Sequence, residues 1–315
     1  MRNRELVRLK GMLDKLTRSQ RKALATELAA LESRTASTEV VESRVPARPV
    51  CPHCAGRQVA KNGSADGLQR FKCRGCLKTF NALTGTPLAG LHQRGKWLEH
   101  AATLRDGLSL NQVADRLDIA QSTAFRWRHR FLAVAKGVQA RQLAGIAEAD
   151  ETYFLHSAKG QRRLGRKPRH RGGKASKRGA SREQVPVLIA RDRGGATANL
   201  ILPSTSGTDI GAALKPILPE DTILCTDGSS ALAAAGRELC VEHHAINVSA
   251  GVRVDGAWHV QNVNAFCSRL RGWLRRFKGV STRYLDSYLG WFRVLDRSPG
   301  LAPQPASLLA LAITV

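Results

Sequence analysis

Leucines recur at three- and four-residue steps from the start of the chain, at Leu6, Leu9, Leu13 and Leu16 and again at Leu24, Leu28 and Leu31. That spacing lays one apolar stripe along each of two helices within residues 5–33. Thr17, followed three residues later by Gln20, marks the second helix start as a capping box. Residues 34–49, rich in Ser, Thr, Val and Pro, read as a linker. Helical spacing returns over 95–133. From Ile146 the period becomes that of strands: Ile146–Phe154, then Gln184–Ala190 and Ala196–Leu202 around the turn Arg191-Asp192-Arg193-Gly194-Gly195. Ile210, Ala213, Leu214 and Ile217 predict a helix over 208–218. Thr222–Thr226 predicts a buried-type strand ending on Asp227-Gly228, with Ser229 or Ser230 capping the next helix. Cys240–Val248 predicts one more strand. Val263, Phe266, Leu270, Leu274 and Phe277 form the inward stripe of a long helix, His259–Lys278. This order of strand, hairpin, helix, strand, helix, strand and helix is that of an α/β layer with a mixed sheet. The apolar residues 303–315 make a tail too short to span a membrane, expected to pack on that layer or on a partner subunit.

The strand Ile146–Phe154 carries three acids in four residues, Glu148, Asp150 and Glu151. Alternation puts Glu148 and Asp150 on one face and Glu151 on the other. Like charges crowd there, and a bound cation would relieve them; a solvated acidic edge is the plainer alternative. The rest of the chain is strongly basic, with 50 Lys and Arg against 25 acids and a formal net charge of +25 over 315 residues. Such an excess calls for a polyanionic partner, most simply nucleic acid, and with the features below double-stranded DNA. No apolar run reaches the roughly 18–20 residues of a membrane span, so no membrane partner is expected. The N-terminus lacks the apolar core of a secretion signal, and a cytoplasmic, nucleoid-associated protein is expected. Ser157–Arg182 contains no acid and carries Lys159, Arg162, Arg163, Arg166, Lys167, Arg169, Arg171, Lys174, Lys177, Arg178 and Arg182. Too polar to order itself, it reads as a flexible loop suited to clamp a phosphate backbone near Asp150, with a solvated insertion that has no site of its own as the alternative.

Of seven cysteines, four fall in two knuckles, Cys51-Pro52-His53-Cys54 and Cys73-Arg74-Gly75-Cys76, separated by 18 residues. Four thiolates at this spacing suit a closed, tetrahedral, structural Zn2+ site. His53 and His92 read as bystanders, and Cys225, Cys240 and Cys267 as small core hydrophobes. Leu108–Arg128 matches a helix-turn-helix. Val113 and Leu117 lie inward on the first helix, Ala114 permits a close crossing, and Asp118 tolerates a left-handed turn. Ile119, Ala124 and Trp127 face inward on the second helix. Gln121, Ser122, Thr123 and Arg126 face outward near its start, where major-groove readers carry base-contacting side chains, while Arg128 and Arg130 suit phosphate. An ordinary helical hairpin is the alternative.

The ordered set of Glu148-Ala149-Asp150-Glu151-Thr152-Tyr153, Thr226-Asp227-Gly228 and His259-Val260-Gln261-Asn262-Val263-Asn264-Ala265-Phe266 resembles the IS1595 family of DDE transposases, with its ISXO2-like domain. The upstream cysteine knuckles, the basic insertion and Tyr288-Leu289-Gly290-Trp291-Phe292 resemble it too. The resemblance implies a ribonuclease H-like mixed sheet with flanking helices, preceded by a zinc ribbon and a helix-turn-helix. The implied segments are 1–49 (helical N-terminus and linker), 50–85 (ribbon), 86–137 (helix-turn-helix), 138–297 (catalytic domain) and 298–315 (tail). It implies two-metal phosphoryl transfer with Mg2+ or Mn2+, held by Asp150 and Asp227, and a third position at Asn264, where most DDE enzymes have Glu. Arg271 matches the family's basic residue two turns later and is expected to grip phosphate. His243, His244 and His259 lie near the same edge, and Asp255 is the nearest substitute acid. An enzyme of this kind would bind terminal inverted repeats, cleave the ends and transfer the 3′-hydroxyl to target DNA as a multimer bridging two ends. A DNA-binding regulator with an inert core is the alternative that Asn264 keeps open. A third, an RNA-processing nuclease, fits the fold but not the helix-turn-helix.

Overall fold

The computed structural model describes residues 3–165, 167, 173–176, 181–247, 250–297 and 303–314. Within the basic insertion, Arg166, Arg169, Arg171, Lys177 and Arg178 lie outside the described residues, as does Val248 at the end of an expected strand. The chain divides into two compact units, residues 1–131 with 304–315, and residues 132–303.

The first unit begins with α1 (Asn3–Leu13) and α2 (Arg18–Glu42). Thr17 caps α2 as its sequence predicts, with Gln20 N donating to Thr17 Oγ1 at 3.2 Å and Thr17 N to Gln20 Oε1 at 2.9 Å. The expected linker is corrected: α2 runs on through residues 34–42. Thr35, Ser37 and Thr38 are mediocre helix formers, but Ser37 and Val41 are buried, so tertiary packing overrides local preference. A three-stranded antiparallel ribbon follows, β1 (Val59–Ala65), β2 (Leu68–Cys73) and β3 (Thr79–Phe80). Then come α3 (Trp97–Arg105), α4 (Leu110–Leu117) and α5 (Gln121–Phe131). Ser109 and Gln112 form the capping box of α4, and Asp118 closes it at φ 47°, ψ 62°, the left-handed corner that the sequence places there. Val113, Leu117 and Ala124 pack with Leu108, Leu110, Ala114 and Ile119 in the angle between α4 and α5. The C-terminal helix, Pro305–Ala312, returns to this unit and packs on α3, α2 and α5, burying Leu308, Leu309, Ala312 and Ile313. The tail therefore completes the N-terminal unit instead of covering the α/β layer.

The second unit is built on a five-stranded sheet: β4 (Ile146–Leu155), β5 (Gln184–Asp192), β6 (Thr197–Ile201), β7 (Ile223–Thr226) and β8 (His243–Ala245). Their spatial order is β6-β5-β4-β7-β8. β4 pairs antiparallel with β5 and parallel with β7; β5 pairs antiparallel with β6, and β7 parallel with β8. That order and those directions are the ribonuclease H-like mixed sheet. β4 is the central strand, not an acidic edge. β8 is shorter than the sequence suggests, because Cys240 turns through φ 56° and the chain leaves the sheet at Ile246.

Helices α6 (Gly207–Leu214) and α7 (Ser230–Glu238) cover one face of the sheet. Ile210, Leu214, Leu232 and Ala235 pack there on Ala147, Ala149, Leu188 and Ala190. The other face carries α8 (Gln261–Arg275) and α9 (Leu285–Asp296). The inward stripe Val263, Phe266, Leu270, Leu274 and Phe277 is buried as its spacing predicts. Phe266, Trp273, Phe277, Tyr288, Trp291 and Phe292 form an aromatic cluster with ring centroids 4.8–5.5 Å apart across several pairs. Between β8 and α8 lies a short hairpin, β9 (Val254–Asp255) and β10 (Trp258–His259), in which Asp255 is exposed. Among the described residues no helix is long and apolar enough to cross a membrane.

Candidate active site and nucleic-acid interface

Strand register brings the two acids together. In the parallel pair, Ala147 faces Leu224 and Glu148 faces Cys225. Carried two residues further, that register would bring Asp150 level with Asp227, immediately past the end of β7, and the Asp227 charge does act on Asp150. Asp150 shares the strand face of Glu148, the side covered by α8. Gly228, at φ 83°, supplies the left-handed turn that ends the strand there, and Ser229 N donates to Asp227 Oδ1 at 3.0 Å. Burial first, and then the Asp227 charge, push Asp150 up to about 6. Glu151 is pushed up to about 7 by burial, then by Asp150 and Asp227. Its side chain leaves β4 on the other face, as alternation requires, yet its carboxylate stays within the field of the pair. Asp150 and Glu151, each raised by burial and by neighbouring acid charge, mark a locus of negative potential suited to a hard cation.

Helix α8 lies along β4 with the same polarity. Val263 N donates to Glu148 Oε2 at 2.9 Å, and Arg271 Nε donates to Thr152 Oγ1 at 2.8 Å. Eight helical residues rise about 12 Å and four strand residues about 13 Å, so the two elements stay in step. Asp150 then falls opposite the middle of α8, and its charge is felt by Cys267, whose thiol burial pushes up to about 12. Asn264 and Arg271 are separated by two turns, within about 20° of each other around the helix axis. Both belong to the exposed polar stripe Asn264, Ser268, Arg271 and Arg275. Arg271 is anchored on Thr152 and opposes the Asp150 charge.

Sequence reasoning missed the most buried member of the group. Glu148 is fully buried, and its carboxylate has four partners. Asn262 Nδ2 donates to Oε1 at 2.9 Å and Val263 N to Oε2 at 2.9 Å; Arg193 Nε lies 3.1 Å and His259 Nδ1 3.3 Å from Oε1. Alternation placed Glu148 on the Asp150 face, but no pattern names Arg193 or a helix start as its partners. His243 is satisfied by Thr226 Oγ1 at 2.9 Å. His244 pairs with Glu242 at 2.7 Å and stacks on Trp258 at 3.9 Å. Cys225 and Cys267 are buried, while Cys240 is exposed at its turn.

The four knuckle cysteines converge, with all their sulfurs within 4.8 Å of one another. Cys51 and Cys76 Sγ stand 3.6 Å apart, as do Cys54 and Cys73. Tetrahedral thiolates about 2.3 Å from zinc would be about 3.8 Å apart, so the donor set fits that ion. The backbone N–H of Cys76 chiefly holds the Cys73 thiol down at about 7, and His53 N donates to Cys51 Sγ at 3.4 Å. Phe71 and Phe80 stack beside the knuckles with centroids 5.5 Å apart.

On α5, Gln121, Ser122 and Arg126 are exposed and Thr123 half-buried, all within the first two turns. Gln121 Nε2 also donates to Asn111 Oδ1. Arg128 does not stand where a phosphate contact needs it. It is 2% exposed, and its Nη2 donates to Leu108 O at 2.6 Å, tying α5 to the loop before α4. Position 128 follows buried Trp127 on the inward side of the helix, which outweighs the polar character read from the sequence. Arg130 remains exposed, and its guanidinium donates to the carbonyls of Pro87 and Ala89. In the basic insertion, Lys159 Nζ donates to Phe277 O at 3.2 Å and Gly279 O at 2.8 Å, just past the end of α8.

Residues 142–293 match the model of the ISXO2-like transposase domain, and residues 93–141 that of a homeodomain-like domain. The chain is 30% identical over 258 residues to an uncharacterized protein in transposable element ISH50 of Halobacterium salinarum, covering 79% of this chain and 87% of the relative. Among solved structures it is similar to the simian T-cell lymphotropic virus intasome in complex with PP2A regulatory subunit B56 gamma, at 10% identity, TM-score 0.29, and coverage of 67% and 73% of the two chains. It is also similar to a pre-cleavage Mos1 transpososome, at 13% identity, TM-score 0.21, and coverage of 69% and 78%. Strand order and register, not these superpositions, identify the fold.

Proposed function

The chain belongs to the ISXO2-like transposases of the IS1595 family, and from that premise we propose that it cleaves the ends of an insertion sequence and joins them to target DNA at the Asp150–Asp227 pair. One observation supports this reading: β4 and β7 pair in parallel up to Glu148 and Cys225, two residues before Asp150 and Asp227, and the Asp227 charge acts on Asp150. Asp150 and Asp227 would hold Mg2+ or Mn2+, with Asn264 offering a neutral carbonyl oxygen from the helix. Such ions would supply an activated attacking oxygen and a stabilised leaving oxygen for in-line displacement at phosphorus. Asn264 cannot neutralise charge as a Glu would. The scissile phosphate itself is therefore expected to complete the ligand set, with Arg271 gripping a neighbouring phosphate from its anchor on Thr152. In the first displacement water adds to phosphorus and the 3′-oxygen leaves; in the second that 3′-hydroxyl attacks a target phosphodiester. Both have the same geometry, so one site serves both.

Gln121, Ser122, Thr123 and Arg126 are assigned to base and backbone contacts with the terminal repeats. The Cys51, Cys54, Cys73 and Cys76 cluster would hold structural Zn2+. Lys159, whose Nζ bonds the carbonyls of Phe277 and Gly279 just past α8, is assigned with the basic residues that follow it to the DNA backbone. Joining two ends requires two copies, so a multimer bridging them is part of the proposal. The alternative, a DNA-binding regulator with an inert core, draws on the neutral side chain at position 264. A strand-transfer assay with Mg2+ or Mn2+ on DNA carrying the element ends separates the two. Wild type should join ends, and Asp150→Ala and Asp227→Ala should not. Wild type no more active than the two variants, with binding intact, would favour the regulator.

A further inference from the structure

We propose that Glu148 is a positioning residue: its carboxylate ties the first turn of α8 to β4 and so sets where Asn264 stands relative to Asp150. This rests on the active-site reading above. Glu148 lies two residues before Asp150 on the same face of the central strand. Its Oε2 accepts from Val263 N, the residue immediately before Asn264, and its Oε1 accepts from Asn262 Nδ2. Val260 stands at the N-cap and offers no side-chain acceptor; the local side chain at this end is His259, whose Nδ1 lies 3.3 Å from Gln261 N, and it does not reach the N–H of Val263. Glu148 therefore supplies from a neighbouring strand what Ser, Thr or Asp normally supplies locally.

The remaining charge around the carboxylate is balanced with little slack. Arg193, from the β5–β6 turn, pairs with Oε1 at 3.1 Å and also donates to His259 Nε2 and, at 3.0 Å, to Ala257 O. His259 Nδ1 stands 3.3 Å from the same oxygen. Arg193 thus holds the chain entering α8 while Glu148 holds its first turn. Burying a carboxylate is costly, and an apolar contact would fasten a helix to a sheet without that cost. What the carboxylate adds is direction. Two hydrogen bonds to consecutive residues fix both the axial position and the rotation of α8. A neutral ligand such as Asn264 has only geometry to contribute, so it depends on that fixation more than a charged Glu would.

The test is Mn2+ binding to the zinc-loaded full-length chain, followed by electron paramagnetic resonance and calorimetry, alongside far-UV circular dichroism. Mn2+ prefers oxygen donors and should leave the thiolate site alone. Glu148→Gln, which loses the pairing with Arg193, and Glu148→Asp, which keeps the charge but is too short to reach Val263 N, should each weaken Mn2+ binding about 10-fold or more. Asn264→Ala should weaken it similarly. Adding Glu148→Asp to Asn264→Ala should cause little further loss, because one residue acts through the other. Folded Glu148 variants with wild-type Mn2+ affinity would overturn the proposal, and so would fully additive losses. If Glu148→Gln fails to fold, the Glu148→Asp result decides. Failure of the active-site reading looks different: Asp150→Ala and Asp227→Ala would then leave Mn2+ binding unchanged.

Discussion

Asp150→Asn should make the metal-free protein more stable while removing its activity. Asp150 titrates at about 6 in the folded chain against an ordinary 3.8, mainly because burial disfavours its charge and then because Asp227 does. A carboxylate whose folded pKa is raised costs stability when ionised. The cost is absent below 3.8, where both states are protonated. It grows as pH rises from there and is complete above about 6. A shift of about two pH units corresponds to at most about 3 kcal/mol. The Asp150 charge also raises Glu151, and neutralising it forfeits the attraction to Arg271, so a gain of about 1–2 kcal/mol at pH 8 is expected. Asparagine keeps an oxygen that can still accept from the Glu151 N–H. Calorimetry on zinc-loaded protein in divalent-free buffer would read the unfolding of the residue 132–303 unit at pH 8 and pH 4. The variant should melt higher at pH 8 and level with wild type at pH 4. Adding Mn2+ at pH 8 should stabilise wild type and not the variant. Equal or lower stability of the variant at pH 8 would refute the reasoning, since Asp150 would then not be held ionised against its surroundings.

Gly290→Ala should disrupt the second unit by about 3 kcal/mol or more, because a Cβ there would sit 2.2 Å from Ala135 O, a backbone atom that cannot step aside; a urea midpoint unchanged from wild type would contradict this. Arg126→Ala should weaken DNA binding and flatten its salt dependence by about one counterion, whereas Arg128→Ala should leave the salt slope alone and lower stability, since its Nη2 bonds Leu108 O; paired salt titrations and thermal melts read both. Leu77 sits at φ 61° just after the second knuckle and is exposed. Leu77→Gly should therefore raise stability by up to about 1 kcal/mol, seen as greater resistance of the zinc-loaded ribbon to urea.

Much of this protein can be read from local pattern, because the forces involved act over a few residues. The capping box at Thr17, the left-handed Asp118, the two cysteine knuckles and the buried stripe of α8 each depend on spacing alone. The order of strands and helices, with acids at the middle of one strand and the end of another, also specifies a mixed sheet before any contact is known. Pairing across the sheet is different. Only the parallel register of β4 with β7 brings residues 150 and 227, distant in the chain, to the same level. Tertiary packing alone turned Arg128 inward, extended α2 into the first half of the expected linker and returned the C-terminal helix to the first unit. In each case buried contacts outweigh a weak local preference. Glu148 marks the boundary most clearly. Alternation fixed its face, but its role as the cap of α8 exists only because a strand and a helix more than a hundred residues apart meet in register.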